Sequence, residues 1–282
     1  MTPEGAHDIR VWVNGTLYDD PATATVSAVD HGLVAGDGVF EALKVEAWGP
    51  FAVTRHLERL NRSAERMGLP HPDHDLLREG IDAVLAGRTW ELGKIRITWT
   101  GGRGPLGSGA PFGPPNMVVA AEPAERPAPT TRIVTLPWTR NPDDVMAGVK
   151  TTSYGGNVRG LAAAHAQEAT EGIFVTTDGY ISEGTGANIF FVIAGDVVTP
   201  PLTAGILDGV TRALVLKWWP GATERPITVE EAHTADEVFL TSSLRDIQAV
   251  TSWDEREYEV GEVTRRVKAL FDEKSRAEPD PA

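Results

Sequence analysis

A run of prolines near the middle of the chain places the strongest constraint on its fold. Residues 122–130 read Glu-Pro-Ala-Glu-Arg-Pro-Ala-Pro-Thr. Because proline fixes φ and lacks a backbone donor, repeated prolines favour a stiff extended connector over a helix or a central strand. We therefore predict an N-terminal α/β lobe over residues 1–122, an interdomain linker over residues 123–130 and a C-terminal lobe over residues 131–282. A chain of 282 residues is long enough to bury a core in each lobe.

The N-terminal lobe is predicted to open with antiparallel strands. Val11–Tyr18 alternates around the pair Asn14-Gly15, which tolerates positive φ and favours a tight hairpin turn. Residues 40–48 are predicted to form another strand. Apolar residues at helical spacing predict a helix over residues 55–67, and a second helix is predicted over residues 73–86.

A long loop is predicted later in this lobe. Strands over residues 94–100 and 117–121 flank residues 101–115, which are dense in glycine and proline. A loop of this length is too long for a simple turn, and long ordered loops tend to carry function. The equally favoured alternative is that residues 101–115 form a mobile surface loop without a function.

The C-terminal lobe is predicted to mix helices and apolar strands. The helices are predicted near residues 158–171, 209–218 and 260–274, and the strands at residues 172–176, 187–193 and 237–240. Residues 278–282 are predicted to be a frayed tail.

Charge and composition exclude several classes of partner. Lysine and arginine total 26 against 40 aspartate and glutamate, and the net charge of −14 disfavours nucleic acids and anionic membranes. The chain has no cysteine, which excludes a disulfide framework and a thiolate metal site. Met1–Arg10 lacks the basic and apolar regions of a secretory leader, and no segment approaches the ~18 apolar residues of a membrane span. We expect a cytoplasmic enzyme.

Three motifs in the second half of the chain suit one cofactor. Gly148–Ser153 contains Lys150, Ile181–Asn188 contains Glu183, and Gly205–Arg212 contains a glycine-led turn into a helix. An aldehyde cofactor needs a lysine amine for a Schiff base, a carboxylate that keeps a ring nitrogen protonated, and backbone N–H groups for a phosphate. The three motifs together therefore indicate pyridoxal 5′-phosphate (PLP).

Each motif also has a purely structural explanation. A lysine after a strand is usually a solvated charge, Ser-Glu-Gly forms turns, and Gly-Val-Thr-Arg starts helices. Their order and spacing favour the cofactor, since Glu183 follows Lys150 by 33 residues and Thr211 follows Glu183 by 28. In this order the motifs resemble those of the class-IV aminotransferases, also called fold-type IV PLP enzymes. The resemblance extends from about Val11 to about Phe271.

Further motifs of the same family lie in both halves of the chain. They occupy residues 30–41, 55–60, 199–202 and 237–243. Proteins with these motifs include branched-chain aminotransferases, D-amino acid aminotransferases, (R)-selective amine transaminases and aminodeoxychorismate lyases. The resemblance implies an α+β fold with two lobes, similar to that of D-amino acid aminotransferase, with PLP between the lobes. It also implies a homodimer.

The resemblance assigns a role to individual residues. Lys150 is expected to form the Schiff base and then move the substrate proton, which requires a neutral amine. Glu183 is expected to hold the protonated N1 of the cofactor ring. The phosphate is expected to contact Arg59, Val210, Thr211 and Ser243, and Phe40 is expected to line the pocket.

Both aminotransferase patterns are incomplete in this chain. Branched-chain enzymes place a tyrosine five residues after the lysine, where this chain has Gly155, and Tyr154 lies one residue short. Residues 156–158 match the D-amino acid enzymes, but the Arg-x-His pair with which those enzymes bind the substrate carboxylate is absent, the nearest segment being residues 106–108. Lys44 occupies the position of the branched-chain enzymes' arginine.

The segment Gly101–Gly104 looks more like that of the aminodeoxychorismate lyases, whose loop arginine binds a substrate carboxylate. Arg103 is the matching residue, since a guanidinium binds a carboxylate with two parallel bonds. Arg245 is a second candidate for an anionic substrate group. We therefore predict 4-amino-4-deoxychorismate lyase, which releases pyruvate and 4-aminobenzoate for folate synthesis. The alternative is an aminotransferase for D-amino acids, branched-chain amino acids or (R)-amines.

The sequence also suggests a metal site and a non-enzymatic role, and both are less well supported. Residues 71–75 contain metal-ligand side chains, but Asp73 as a helix N-cap explains them, and no metal is predicted. A PLP-carrying regulatory protein without activity is the non-enzyme alternative, and the presence of both Lys150 and Glu183 argues against it.

Overall fold

The computed structural model describes residues 8–282, and the contacts divide the chain into two compact units. Unit 1 comprises residues up to Arg126 together with Val149–Ser153 and Pro279–Ala282. Unit 2 comprises Pro127–Gly148 and Tyr154–Glu278.

The bounds of the two units can be compared with those of the predicted lobes. The change from Arg126 to Pro127 falls within the predicted linker. Lys150 belongs to unit 1, whereas the sequence placed it in the C-terminal lobe, because residues 149–153 pair with the start of a strand of unit 1. The prediction about a leader falls largely on residues 1–7, which lie outside the described residues.

Unit 1 is built on a six-stranded antiparallel sheet in the order β2-β1-β6-β5-β3-β4. Its elements in chain order are β1 (Arg10–Val13), β2 (Thr16–Tyr18), α1 (His31–Val34), β3 (Gly38–Glu46), β4 (Gly49–Pro50), α2 (Val53–Met67), α3 (His74–Leu85), β5 (Leu92–Thr100) and β6 (Asn116–Pro123). Helix α2 packs against β3, and α3 packs against β1 and β6. The core between them is apolar and includes Trp12, Leu57 and Ile97.

Local signals in unit 1 are confirmed. The predicted hairpin is formed by β1 and β2, and its turn residues Asn14 and Gly15 have φ of 47° and 94°, as a two-residue turn requires. Asp73 caps α3, since its carboxylate accepts hydrogen bonds from the backbone N of Asp75 (2.9 Å) and Leu76 (3.2 Å).

Unit 2 is built on a nine-stranded mixed sheet. Its elements are β7 (Thr130–Arg140), α4 (Gly155–His165), β8 (Glu171–Thr176), β9 (Ile181–Gly184), β10 (Asn188–Ile193), β11 (Asp196–Thr199), α5 (Val210–Trp218), β12 (Thr223–Glu224), α6 (Val229–Ala232), β13 (Glu237–Ser242), β14 (Asp246–Trp253), β15 (Arg256–Glu257) and α7 (Glu262–Ala277). The order is β12-β11-β10-β13-β14-β7-β8-β9, and β15 pairs with β14.

The core of unit 2 lies on the central strands. β10 and β13 pair antiparallel, and the rings of Phe190 and Phe239 stack with centroids 5.0 Å apart. Helices α5 and α7 pack against β13, while α4 packs against β7 and β8. Strand β9, on which Glu183 lies, pairs with β8 at the end of this sheet.

Two predictions for the second half of the chain are wrong. The helix predicted over residues 158–171 ends at His165, because Glu168 has a left-handed φ of 59° and Glu171 begins β8. Residues 279–282 are not frayed, since they form hydrogen bonds to the start of α2. Among residues 8–282, no helix is both long and apolar enough to cross a membrane.

Candidate active site

Lys150 lies in unit 1 on a short segment that adds to the start of β3. Its carbonyl accepts from the backbone N of Phe40 at 2.9 Å, and its own N–H donates to Ser63 Oγ at 3.3 Å. The Lys150 side chain is half-buried, and its Nζ lies 4.4 Å from the centroid of the Phe40 ring. The backbone therefore holds the amine against an aromatic face.

The ring of Phe40 contacts a second cation. Phe40 is 4% exposed, and the guanidinium carbon of Arg96 lies 3.8 Å from the ring centroid. Arg96 lies on β5 and is exposed to solvent. The sequence did not point to Arg96, although it stands on the polar side of an alternating strand. The structure thus places an exposed guanidinium beside the ring that contacts Lys150.

Arg59 forms a buried cluster with Glu41 and His56. Arg59 Nε and Nη2 donate to Glu41 Oε1 (2.8 Å) and Oε2 (2.7 Å), and His56 Nδ1 lies 2.6 Å from Oε2. All three side chains are at most 4% exposed. The two parallel bonds fix the plane of the guanidinium. Glu41 and His56 therefore act as partners that the sequence did not identify.

The charges of this cluster follow from its burial. Burial alone would raise the pKa of Glu41, but the charge of Arg59 and the hydrogen bonds from Arg59 and His56 outweigh it and lower the pKa to about 2. Burial lowers the pKa of His56, and the charges of Arg59 and Lys150 lower it further, whereas Glu41 acts in the opposite direction. Glu41 is consequently ionised and His56 neutral at neutral pH.

Glu183 lies on β9 of unit 2 and is held by three donors. Its Oε1 is paired with Arg140 Nη1, and its Oε2 accepts from Asn188 Nδ2 and from the backbone N of Leu207, both at 3.0 Å. The residue is 8% exposed. Arg140 thus supplies a cationic counter-charge for this buried carboxylate. Arg140, on β7, was also missed by the sequence.

The turn after Glu183 is fixed by its neighbours. The carbonyl of Thr185 accepts from Tyr154 Oη (3.1 Å) and Asn157 Nδ2 (2.6 Å), and the backbone N of Thr185 donates to Glu171 (2.8 Å). Burial and the charges of Glu183 and Glu171 raise the pKa of Tyr154 to about 12. Tyr154 therefore stays protonated and donates a hydrogen bond to the carbonyl of Thr185 in the turn.

The predicted phosphate residues of unit 2 lie at two turns. Val210 and Thr211 form the first turn of α5, both buried, and within the described residues no side chain caps this helix. A methyl group added to Gly209 would lie 1.9 Å from Asn188 Oδ1, so only glycine fits there. Ser243 is half-buried in the turn between β13 and β14. A helix N-terminus with buried N–H groups attracts a phosphate.

The two predicted substrate arginines have different surroundings. Arg245 Nη1 donates to Gln248 Oε1 at 2.8 Å, and its Nη2 lies 3.3 Å from Glu171 Oε2. Arg103 is exposed, and its carbonyl accepts from the backbone N of Phe112 (2.9 Å) and Gly113 (3.0 Å). Its loop is thus ordered by backbone hydrogen bonds, whereas Arg245 is engaged by an acid of its own unit.

The chemical groups described above are of the types that bind PLP. Within unit 1 there are a lysine amine and an arginine whose plane is fixed by Glu41. Within unit 2 there are a buried carboxylate paired with Arg140 and a helix N-terminus without a side-chain cap. Within residues 8–282 no group of three or more His, Asp or Glu side chains is arranged to hold a metal ion.

Comparison with known proteins identifies the family. The sequence profile of the amino-transferase class IV family matches residues 38–253. The chain belongs to this family. The family is PLP-dependent, so the predictions of a PLP enzyme and of the class-IV family are confirmed.

Individual relatives carry different activities in their names. A Methanocaldococcus jannaschii protein provisionally named a branched-chain-amino-acid aminotransferase is 33% identical over 93% of this chain and 95% of its own length. The aminodeoxychorismate lyase of Bacillus subtilis is 29% identical over 93% of each chain. A hypothetical aminotransferase of Mycobacterium tuberculosis, solved in its PLP-bound form, superposes with a TM-score of 0.83 at 28% identity over 93% of this chain and 97% of its own. The predicted fold-type IV class is thereby confirmed.

Proposed function

We propose that this class-IV enzyme is an aminotransferase that moves an amino group between an amino acid and a 2-oxo acid. The observation that carries the proposal is the pair of cations on Phe40, where Lys150 Nζ lies 4.4 Å and the Arg96 guanidinium 3.8 Å from the ring centroid. In the proposal, the Arg96 guanidinium, which contacts the same ring as the reactive amine, binds the carboxylate of an amino acid substrate. The M. jannaschii relative supports the same reaction class.

PLP supplies an electrophilic aldehyde and a ring that stabilises negative charge on the substrate carbon. In the proposal, Lys150 attaches the cofactor, and its Nζ then takes the proton from the substrate Cα. Glu183 holds the proton on the ring nitrogen. Arg59 and the N–H groups of Val210 and Thr211 bind the phosphate, together with the hydroxyl of Ser243. Each of these roles is a proposal that rests on the family motifs and on the surroundings of the residue in its own unit.

Aminodeoxychorismate lyase is the second candidate. Arg103 stands on an ordered glycine-rich loop, as the lyase resemblance requires, and the B. subtilis lyase matches 93% of the chain. Elimination and transamination both begin with loss of the same substrate proton, so one set of residues can serve both reactions. In this case the chain would contribute to folate synthesis.

We also propose that the enzyme is cytoplasmic and that it is a homodimer, the latter as the family resemblance implies. Three exposed apolar residues of unit 1, Leu33 (70%), Leu106 (81%) and Phe112 (72%), support an interface between copies. Light scattering of the purified protein tests this, and a monomer at micromolar concentration would contradict it.

The attachment of PLP is tested first. Borohydride reduction of the protein with PLP should fix the cofactor on Lys150, as located by mass spectrometry, and Lys150→Ala should lose turnover while remaining folded. Attachment to Lys44 or Lys94 instead would remove the basis of the proposed mechanism.

The reaction is then tested with two arginine variants. Wild type, Arg96→Ala and Arg103→Ala are assayed for transamination of D-amino and branched-chain amino acids and for release of 4-aminobenzoate from aminodeoxychorismate. A lost carboxylate contact of roughly 2–5 kcal/mol lowers kcat/KM by about 30-fold or more. Lys94→Ala, an exposed neighbour on β5 paired with Glu122, is the control.

The proposal expects transamination in the wild type and a large loss in Arg96→Ala, with little change in Arg103→Ala and the control. If 4-aminobenzoate release is far faster and depends on Arg103, the lyase replaces the aminotransferase. If neither arginine matters for either reaction, the carboxylate is bound elsewhere and Arg103 is a solvated loop charge.

A further inference from the structure

The residue at the N-cap position of helix α2 provides no side-chain acceptor for the first turn. Ala52 at the N-cap position has left-handed backbone angles (φ 56°, ψ 38°), and its methyl group accepts no hydrogen bond. A helix leaves its first four backbone N–H groups without partners inside the helix. Serine, threonine, asparagine or aspartate would normally supply the missing acceptor. In α2 the acceptor comes from a distant part of the sequence.

Residues 279–282, here called the tail segment, supply that acceptor. Asp280 Oδ1 accepts from the backbone N of Thr54 at 2.8 Å, and Asp280 Oδ2 accepts from Thr54 Oγ1 at 2.6 Å. The carbonyl of Pro279 accepts from the backbone N of Ala52 at 2.7 Å. A carboxylate in this position also interacts favourably with the positive end of the helix dipole. Asp280 therefore supplies the side-chain acceptor that Ala52, at the N-cap position, lacks, although it lies 226 positions from Thr54 along the chain.

An arginine of α2 also forms hydrogen bonds to the tail segment. Arg55 Nε donates to the carbonyl of Pro281 at 3.1 Å, and Arg55 Nη2 donates to the carbonyl of Ala282 at 2.5 Å. Pro281 is buried. The N-cap residue Ala52 and two residues of the first turn of α2, Thr54 and Arg55, thus form hydrogen bonds to the tail segment.

The next turn of α2 carries the cluster described above. His56 donates the first hydrogen bond of the helix, from its backbone N to the carbonyl of Ala52 at 3.1 Å. Arg59 follows Arg55 by four residues, so both lie on one side of the helix. Arg59 is locked onto Glu41 by bonds of 2.8 and 2.7 Å, and such bonds tolerate little movement of the helix. A shift of the first turn of α2 would therefore strain the bonds that hold the guanidinium of Arg59 on Glu41.

We propose that the tail segment positions α2, and through it Arg59, for the cofactor phosphate, with Asp280 as the principal positioning residue. The inference rests on the proposed role of Arg59 in the PLP site. Asp280 touches neither cofactor nor substrate in this view. It acts through the first turn of α2.

The test compares two N-caps of the same unit. Asp280→Ala removes the cap of α2, and Asp73→Ala removes the cap of α3, a helix that carries none of the proposed site residues. Asp280→Asn keeps an acceptor for the backbone N of Thr54 but loses the second one, and should rescue the first variant in large part, because asparagine caps as well as aspartate. Deletion of residues 279–282 removes all of the hydrogen bonds from the tail segment and is a larger perturbation than Asp280→Ala. For each, the Kd for PLP is measured by absorbance titration, and backbone hydrogen exchange is measured in the cofactor-free protein.

Asp280→Ala should speed exchange in the first turn of α2 and raise the Kd for PLP about fivefold, the equivalent of a typical lost cap. Asp73→Ala should speed exchange in α3 and leave the Kd within about twofold. Equal Kd values for both alanine variants and wild type would overturn the inference while the PLP enzyme stands. If wild type binds no PLP, the proposed function fails and the positioning role falls with it, whatever the exchange rates show.

Discussion

Replacing Glu41 by glutamine tests whether the buried cluster on α2 and β3 holds unit 1 together. Glu41 is fully buried and accepts hydrogen bonds from Arg59 Nε, Arg59 Nη2 and His56 Nδ1. Glutamine has the same shape but no charge. One of its two polar atoms is an NH2 group, which would face a donor instead of accepting from it. The guanidinium of Arg59 would stay buried without its counter-charge.

The magnitude follows from the burial of both partners. Removing one partner of a buried ion pair costs roughly 3–5 kcal/mol, because the other charge is left uncompensated. Glutamine keeps one acceptor for Arg59, so we expect a loss of free energy of unfolding near the lower end, about 3 kcal/mol. For a chain of this size that corresponds to a fall in Tm of roughly 6–10 °C.

Urea denaturation and calorimetry of Glu41→Gln and wild type measure this loss. Glu122→Gln, on β6 of the same sheet, is the matched control, because Glu122 pairs with Lys94 at the surface with both side chains 36% exposed. Surface pairs contribute about 0–1 kcal/mol, so the control should hardly shift Tm. The reasoning would be refuted by a Glu41→Gln variant that loses no more stability than the control.

Three further outcomes follow from the structure. The stability difference between wild type and Glu41→Gln should shrink as pH falls from 4.5 towards 2, because the lowered pKa of Glu41 contributes stability only while the carboxylate is ionised; a constant difference in urea midpoints over that range would contradict this. Arg140→Leu should destabilise the fold by roughly 3 kcal/mol, since Glu183 would remain buried without its cation, and an unchanged Tm would show that Asn188 and Leu207 suffice. Tyr154→Phe should cost about 1 kcal/mol through the lost bond to Thr185, and an ultraviolet titration should show no ionisation of Tyr154 below about pH 11, in keeping with its raised pKa.

Elements with complete local signals were predictable from sequence. The β1–β2 hairpin has its turn chemistry in two adjacent residues, and α3 has both its cap and its apolar spacing within its own length. Helix α5 begins one residue after its glycine, as predicted. In each case the interactions that decide the element are at most a few residues apart. Prediction from one sequence works well under that condition.

Strands that depend on distant partners were missed. Strand β7 contains Pro137, which argues against a central strand, yet β7 lies between β14 and β8 because the register shifts between Thr135 and Thr139. Glu183 lies on β9, an edge strand of the same sheet that was not among the predicted strands. No local pattern marks either case, since the partners are supplied by other strands.

The site shows the same limit for buried charge. A motif predicts which residue contacts the ligand, as with Arg59 and Glu183, but a buried charge also requires an opposite charge or several hydrogen bonds. Glu41 lies 18 residues before Arg59, and Arg140 lies 43 residues before Glu183. Glu41 is the last residue of the motif over residues 30–41 but was given no role, and Arg140 lies outside every motif. Every charged residue placed in a site by its motif therefore predicts an unnamed counter-charge, and a three-dimensional structure is needed to identify it.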